Sequence, residues 1–153
     1  MKKETIVIGN DHAAFALKEY VKGILLKSGY NVHDMGAYDE DSVDYPDFAE
    51  KVALKVAKGK NFRGILSCGT GIGMTICANK VPGIRAALAK TPFEAKMSRE
   101  HNDSNILVLG GRPFNKSLVS KVLNVWLNTK FAGGRHLGRV NKIKRLEKKY
   151  LKP

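Results

Sequence analysis

The chain has 153 residues, 43% of them hydrophobic, and its 27 Lys and Arg outnumber its 14 Asp and Glu, for a net charge of +13. This length suits one domain with one core, the apolar runs are too short to cross a bilayer, and two cysteines do not make a disulfide framework. The first residues enter a strand pattern directly, without the apolar segment and cleavage site of a signal peptide. We therefore expect a single cytoplasmic domain over residues 1–153.

Short β-branched segments alternate with longer amphipathic ones along the chain. The predicted strands are 5–9, 30–36, 64–69, 83–90 and 105–111, and the helices that follow them are 15–27, 46–59, 72–81, 93–102 and 115–130. Gly29 stands where a C-cap is expected after the first helix, and Thr91 with Pro92 stands where the fourth helix begins. Five strand–helix units with short links predict an α/β fold, a doubly wound, five-stranded parallel sheet of the Rossmann-like kind.

A further helix is predicted over 138–151, after the fifth strand–helix unit. Val140, Ile143, Leu146 and Tyr150 fall on one face of it, with lysines opposite. We expect this appended helix to pack on a neighbouring subunit.

Charge is distributed unevenly. Residues 135–153 hold eight basic side chains against Glu147 alone, whereas residues 39–50 hold six acids and no base. A positive field attracts sugar phosphates and nucleic acids alike, so charge by itself does not select the partner. For Lys142 to Lys152 the simplest interpretation is a solvated basic face.

The segment "SCGTGIGM" (67–74) places Cys68 between the third strand and the third helix, followed by glycines at 69, 71 and 73. Amide groups at the start of a helix lower the pKa of a thiol and can receive negative charge on a substrate oxygen. Glycine allows the backbone to approach a ligand closely. The alternative is a structural cysteine buried at the end of a strand, and Cys77 is interpreted in that way.

Other known loops fail on spacing. A dinucleotide fingerprint requires glycine, and a cysteine phosphatase loop requires arginine, where this chain has Met74. A P-loop requires lysine, and the first lysine after this loop is Lys80. The four histidines form no pair at metal-ligand spacing, and Cys68 and Cys77 are too far apart for a Cys-x-x-Cys site. Base or nucleophile chemistry without a metal is what the sequence favours.

Two further segments carry groups suited to proton transfer. Asp11 and His12 follow the first strand, and His101 and Asn102 stand at the end of the fourth helix. We expect both segments to lie on loops facing one cleft, where they would suit proton transfer because a histidine titrates near neutral pH. The alternatives are that Asp11 caps the next helix and that the other segment is only a polar helix end.

Three arginines are candidate anion ligands. Arg135 and Arg139 are four residues apart, so on a helix they share a face and can both reach one phosphate group. Arg112 follows the fifth strand.

Six segments together resemble a known family: "GNDHA", "DYPDFA", "CGTGIGM", "ANKVPGIRAA", "SREHNDSN" and "GGRHLGRV". They resemble the type B ribose-5-phosphate isomerases of the RpiB/LacAB sugar-phosphate isomerase family, from the first strand to about residue 146. The resemblance implies an aldose–ketose isomerase that interconverts D-ribose 5-phosphate and D-ribulose 5-phosphate through a cis-enediolate. It also implies a homodimer, or a dimer of dimers, with the active site shared between subunits and the arginines supplied by the partner. No metal and no organic cofactor are implied.

The resemblance assigns roles to individual residues. Cys68 would be the base that moves a proton between C1 and C2, assisted by Thr70, and His101, helped by Asp11, would open the furanose ring. Some relatives carry a glutamate base slightly later in the glycine loop, where this chain has only apolar or small residues. The implied substrate-binding residues are His12, Tyr45, Gly69, Gly71, Ile72, Gly73, Asn102, Arg112, Arg135 and Arg139.

Three alternatives remain open on the sequence. A six-carbon substrate, allose 6-phosphate or galactose 6-phosphate, is the alternative within the family. A nucleic-acid-binding module would use the basic tail, although that tail lacks interleaved aromatic residues for base stacking. A sugar-phosphate sensor without turnover would bind the substrate but would not need Cys68.

Overall fold

The computed structural model describes residues 4–151, in which every predicted strand–helix unit is present. The strands are β1 (Thr5–Asn10), β2 (Asn31–Asp34), β3 (Phe62–Cys68), β4 (Ala86–Leu88) and β5 (Ile106–Gly110). The helices are α1 (Phe15–Lys27), α2 (Tyr45–Lys58), α3 (Ile72–Ala78), α4 (Pro92–Glu100), α5 (Lys116–Asn128) and α6 (Arg135–Tyr150), and His12–Ala14 form a 3₁₀ turn. All strand pairs are parallel, in the order β2-β1-β3-β5-β4. The predicted doubly wound α/β sheet with a C-terminal helix is confirmed.

The core has two halves because the sheet is covered on both faces. In β1, Ile6 and Ile8 pack with apolar residues of α1 and α5, while Val7 packs with α2 and α3 on the other face. The side chains alternate in this way because successive residues of a strand point to opposite faces. Trp126 is fully buried on the α1 and α5 face.

Two predicted helix boundaries are found as expected. Gly29, at a φ of 78°, follows the C-cap Ser28, and such a left-handed position suits glycine. Thr91 and Glu94 form a capping box at the start of α4, in which each side chain accepts from the other's backbone N–H.

Other boundaries differ from the predicted ones. β4 begins at Ala86 rather than 83, because the backbone N–H of Ile84 and of Arg85 bond to Val81 and to the Asn105 side chain instead of a strand. α3 ends at Ala78, where Asn79 turns to bond both backbone groups of Ala86. α6 begins at Arg135, three residues before the prediction, and thereby includes both candidate arginines.

Later strands are added to the sheet on opposite sides of β1: β2 lies on one side, and β3, β5 and β4 lie on the other. The switch point between β1 and β3 is where ligands bind in open α/β folds. Asn10 is paired with Ser67, and the N–H of Asp11 donates to the Ser67 carbonyl at 3.2 Å. Asp11 and Cys68 therefore leave the sheet side by side.

A buried lysine supports this edge from the α1 side. Lys18 is 2% exposed, and its Nζ donates to Asp34 and to the carbonyl of Ala37. Burial acts to raise the pKa of Asp34, but hydrogen bonds from Lys22, the Gly36 N–H and Lys18 outweigh it, so the pKa is lowered. The loop held in this way contacts β1, because the N–H of Ala37 donates to the Asn10 carbonyl.

Within residues 4–151 we find no helix with the length and apolar character needed to span a membrane. Lys152, part of the predicted basic face, lies outside the described residues.

Candidate active site

Five of the predicted site residues meet at the carboxyl ends of β1 and β3. This thiol cluster consists of Asp11, His12, Tyr45, Cys68 and Thr70. The loop after β3 and the start of α2 bring them together, as the parallel sheet requires.

The sulfur of Cys68 faces the buried side of the glycine loop. The residue is 5% exposed and packs with apolar residues of α2 and α3, so its burial alone fits a structural cysteine as well. Its Sγ accepts a hydrogen bond from the N–H of Gly71 at 3.2 Å. An amide donor aimed at sulfur stabilises a thiolate, which is the state that a base requires.

The glycine loop depends on the conformation of Gly71. Its φ is +81°, in the left-handed region that favours glycine. A Cβ there would lie 2.5 Å from Cδ1 of Leu88 and 3.3 Å from the Leu109 backbone. The turn that directs the amide at Sγ therefore requires glycine at this position.

Thr70 lies on the solvent side of the loop, where its Oγ1 accepts from the N–H of Ile72. A cavity of about 370 Å³ borders the loop here, and its lining includes Gly69, Thr70 and Arg112 together with apolar side chains of α5. The N–H of Arg112 donates to the carbonyl of Gly69 at 3.0 Å. Arg112 thus belongs to the same edge of the chain as Cys68.

Asp11 does not act as a helix cap. It occupies the N-cap position of the 3₁₀ turn without a side-chain capping bond, and it is only 7% exposed. Within the described residues, Oδ1 of Asp11 and Oδ1 of Asn10 are buried without a hydrogen-bond partner. Buried polar atoms in proteins are nearly always paired, so a ligand that donates hydrogen bonds to these two oxygens would fit this position.

His12 and Tyr45 border the loop on its other side. Nδ1 of His12 accepts from the N–H of Val43 at 3.1 Å, which leaves Nε2 of the neutral ring as a hydrogen-bond donor. The ring of Tyr45 lies against the first turn of α3, where a Cβ on Gly73 would meet it at 2.7 Å.

A second group, the histidine cluster, consists of His101, Asn102, Arg135, His136 and Arg139. The rings of His101 and His136 are stacked, with centroids 4.1 Å apart and planes at 12°. His101 and Asn102 follow the last turn of α4, while the other three residues of the cluster lie in the first turns of α6. Burial lowers the pKa of His136, and the positive charges of His101, Arg135 and Arg139 lower it further.

The rest of the "SREHNDSN" segment holds this cluster in place. Asp103 accepts from Arg85 and Arg99, and it adopts a φ of +47°. Ser104 bonds to Ser98 and accepts from Nε1 of Trp126. His101 and Asn102 therefore lie on a loop whose position is held by these hydrogen bonds.

The two clusters lie at opposite edges of the sheet, which corrects the expectation of one cleft. α4 runs antiparallel to the strands, so its end lies beside the amino ends of β4 and β5, where the N–H of Asn105 donates to Arg85. β5 alone separates the two edges by about 15 Å. Within one chain, His101 therefore cannot reach Asp11.

Sequence reasoning missed the role of His136 as the stacking partner of His101. The available signal was its position beside Arg135 in "GGRHLGRV", together with the rule that helix ends lie opposite the carboxyl ends of strands. The described residues contain no group of three or more His, Cys, Asp or Glu side chains placed to hold a metal ion.

The fold and its polar groups define an α/β enzyme with a thiol at the switch point of the sheet and arginines suited to an anionic substrate. The chain belongs to the family described as Ribose/Galactose Isomerase, whose family model matches residues 6–143. The resemblance inferred from the sequence is confirmed, and so is the expectation of an aldose–ketose isomerase.

Similar proteins cover nearly the whole chain. Ribose-5-phosphate isomerase B of Escherichia coli is 42% identical over 149 residues, 97% of this chain and 99% of its own. The Clostridium thermocellum ribose-5-phosphate isomerase B structure has a TM-score of 0.93 at 51% identity, covering 95% and 99%. That of Mycoplasma genitalium ribose-5-phosphate isomerase B with bound ribulose-5-phosphate has a TM-score of 0.90 at 41% identity, covering 94% and 96%.

Proposed function

We propose that this chain interconverts D-ribose 5-phosphate and D-ribulose 5-phosphate in the cytoplasm, with Cys68 as the base and no cofactor. The observation that carries the proposal is the hydrogen bond from the Gly71 N–H to Sγ of Cys68 at the switch point of the sheet. The pentose is supported by similar proteins that are named ribose-5-phosphate isomerase B.

The proposed reaction moves one proton between neighbouring carbons. The Cys68 thiolate removes the proton from C2 of the open-chain aldose. The electrons of that bond form the C1–C2 double bond, and the π electrons of the carbonyl move onto its oxygen to give the enediolate. Amides of the loop from Gly69 to Gly73 hold the developing negative charge. The proton returns at C1, while a proton passes from the C2 oxygen to the C1 oxygen, assisted by Thr70, and the ketose results.

We propose that the substrate is held by two subunits. The partner's histidine cluster would supply His101 for ring opening and Arg135 and Arg139 for the phosphate, while the thiol cluster supplies Asp11 and His12. A two-fold axis perpendicular to the strands exchanges the two edges of the sheet, so one axis completes two identical sites. In this arrangement the bound sugar would donate hydrogen bonds to the unpaired oxygens of Asn10 and Asp11.

α3 supports this arrangement. Its N-cap residue Gly71 lies beside the thiol cluster, and its C-cap residue Asn79 borders a groove with Ile143 and Leu146 of α6. Ile72 and Ile76 of α3 are 53% and 57% exposed, large values for isoleucine. In a dimer whose axis passes α3, these two side chains would be buried, and α6 would pack on the partner.

Turnover tests the assignment directly. The purified protein should convert ribose 5-phosphate to its ketose. In D₂O the product should carry deuterium at C1, because the proton taken up by the base exchanges with the solvent before it is returned. Cys68→Ala should lower kcat by about 10²–10⁴-fold and leave substrate binding nearly unchanged. Cys77→Ala, which removes the other free thiol, is the control and should retain activity.

Other outcomes would replace parts of the proposal. Faster turnover of allose 6-phosphate or galactose 6-phosphate would replace the pentose substrate. Full activity of Cys68→Ala would remove the thiol from the mechanism, and binding without turnover in the wild type would indicate a sensor.

A further inference from the structure

Two oppositely charged surfaces are not used by the proposed reaction. The first is the acidic segment, residues 39–50, whose six acidic side chains are all exposed. The second is the basic face of α6, which carries Lys142, Lys144, Arg145, Lys148 and Lys149, all exposed. Within residues 4–151 none of these side chains forms an ion pair with another residue.

Part of the basic face continues the line of the anion-binding arginines. At 100° per residue, Lys142 and Lys149 lie within about 20° of each other around α6, on the side that also carries Arg135 and Arg139. We call Lys142 and Lys149, which the substrate phosphate does not use, the basic stripe. Lys144 and Lys148 point away from it, on the other side of the helix.

The acidic segment is anchored to the thiol cluster. The N–H of Val43 donates to His12, and the ring of Tyr45 lies against the start of α3 at Gly73. The acidic side chains therefore border the edge of the sheet that the partner's histidine cluster must approach.

α3 connects the two surfaces. Its first turn lies against Tyr45 of the acidic segment, and Asn79, the C-cap residue at its carboxyl end, borders the groove lined by Leu146 and Tyr150 of α6. Two copies of α3 packed antiparallel about the two-fold axis bring the amino end of each beside the carboxyl end of the other. The acidic segment of one copy then faces α6 of the other, and the contact occurs twice.

We propose that the acidic segment of each subunit docks on the basic stripe of α6 in a second copy of this chain, aligning the shared sites. This proposal rests on the proposed function, because that function requires the edges to meet. Complementary charge guides the orientation and speeds the encounter, and it disfavours other registers, in which two basic helices would face each other. Part of the net charge of +13 would then contribute to the contact between subunits, since the partner's acidic side chains neutralise part of the cationic helix at each contact.

Paired charge reversals test the proposal by sedimentation without substrate. Glu40→Lys/Asp41→Lys and Lys142→Glu/Lys149→Glu should each weaken dimerisation by about tenfold or more, because each reversal replaces attraction by repulsion at the altered positions. Mixing the two variants should restore much of the association, since in the heterodimer the altered positions again carry opposite charges. The wild-type dimer should weaken as salt is raised.

Lys144→Glu/Lys148→Glu is the matched control, with the same charge change on the other side of α6, and it should dimerise like the wild type. The proposal is overturned if both helix variants weaken the dimer equally, or if the mixture shows no recovery. It is also overturned if Lys142→Glu/Lys149→Glu dimerises normally but loses affinity for labelled duplex DNA, which would make nucleic acid the partner of the stripe. Because no substrate is present, failure of the isomerase assignment leaves these measurements intact and appears only in turnover.

Discussion

Placement of the two clusters at opposite edges of the sheet makes a quantitative prediction about mixed dimers. With the proposed roles, Cys68→Ala removes the base from the thiol cluster and His101→Asn removes the ring-opening group from the histidine cluster, so each homodimer should be inactive. In a dimer of one Cys68→Ala subunit and one His101→Asn subunit, one site combines both lesions and the other combines neither. Random pairing of equal amounts makes half of the dimers mixed, and each has one intact site of two, so about a quarter of wild-type activity should return.

The assay is turnover of ribose 5-phosphate by the two variants after co-expression with different affinity tags. Tandem purification isolates the mixed dimer, which should reach about half of wild-type activity per dimer. Cys68→Ala paired with Cys68→Ser is the control, because both lesions then lie in the same cluster and no intact site can form. If purified mixed dimers of Cys68→Ala and His101→Asn stay inactive, the two clusters do not share a site across subunits.

Three further predictions concern stability and the glycine loop. Lys18→Met should lower the free energy of unfolding by about 3 kcal/mol, because it removes the nearly buried cation that pairs with Asp34. Urea denaturation measures the loss, with Lys18→Arg for comparison, and an unchanged midpoint in Lys18→Met would contradict this prediction. The pKa of His136 is lowered from its ordinary value of 6.5, so just below that pH the unfolded chain binds more protons than the folded chain, and stability should fall as the pH drops through this window. His136→Gln should make the melting temperature depend less on pH between pH 5 and about 7.5. An equally steep pH dependence in the variant would show that another group titrates. Gly71→Ala should cost about 1–3 kcal/mol through its positive φ and its contact with Leu88, and kcat should fall with it; retention of full kcat would mean that the amide at this position does not support the base.

Local patterns in the sequence predicted the elements because each one is fixed by neighbouring residues. Apolar periodicity marks the strands and most helices, and capping residues such as Gly29 and Thr91 mark their ends. The start of α6 was missed because its first turn is polar: Leu137 is 49% exposed, and the first buried apolar side chain is Val140. Periodicity cannot detect a turn that buries no apolar residue.

Most of the thiol cluster could be predicted because all of its members except Tyr45 directly follow strands, and the carboxyl ends of parallel strands meet. Tyr45, at the start of α2, came only from the family resemblance. The position of His101 could not be obtained by the same reasoning, because it ends a helix and so lies at the other edge. The stack of His101 on His136 joins residues 35 positions apart through the path of α5. No rule based on residue spacing includes the path of α5, so the contact between the two histidines could be identified only from the folded structure.

Opposite-edge placement also bears on how the enzyme responds to its own abundance. If the chemistry needs one end of each of two molecules, a newly made chain is inert until it meets another, and output rises faster than protein level while copies are scarce. Dilution or a competing monomer binder would then silence turnover without touching any reacting group.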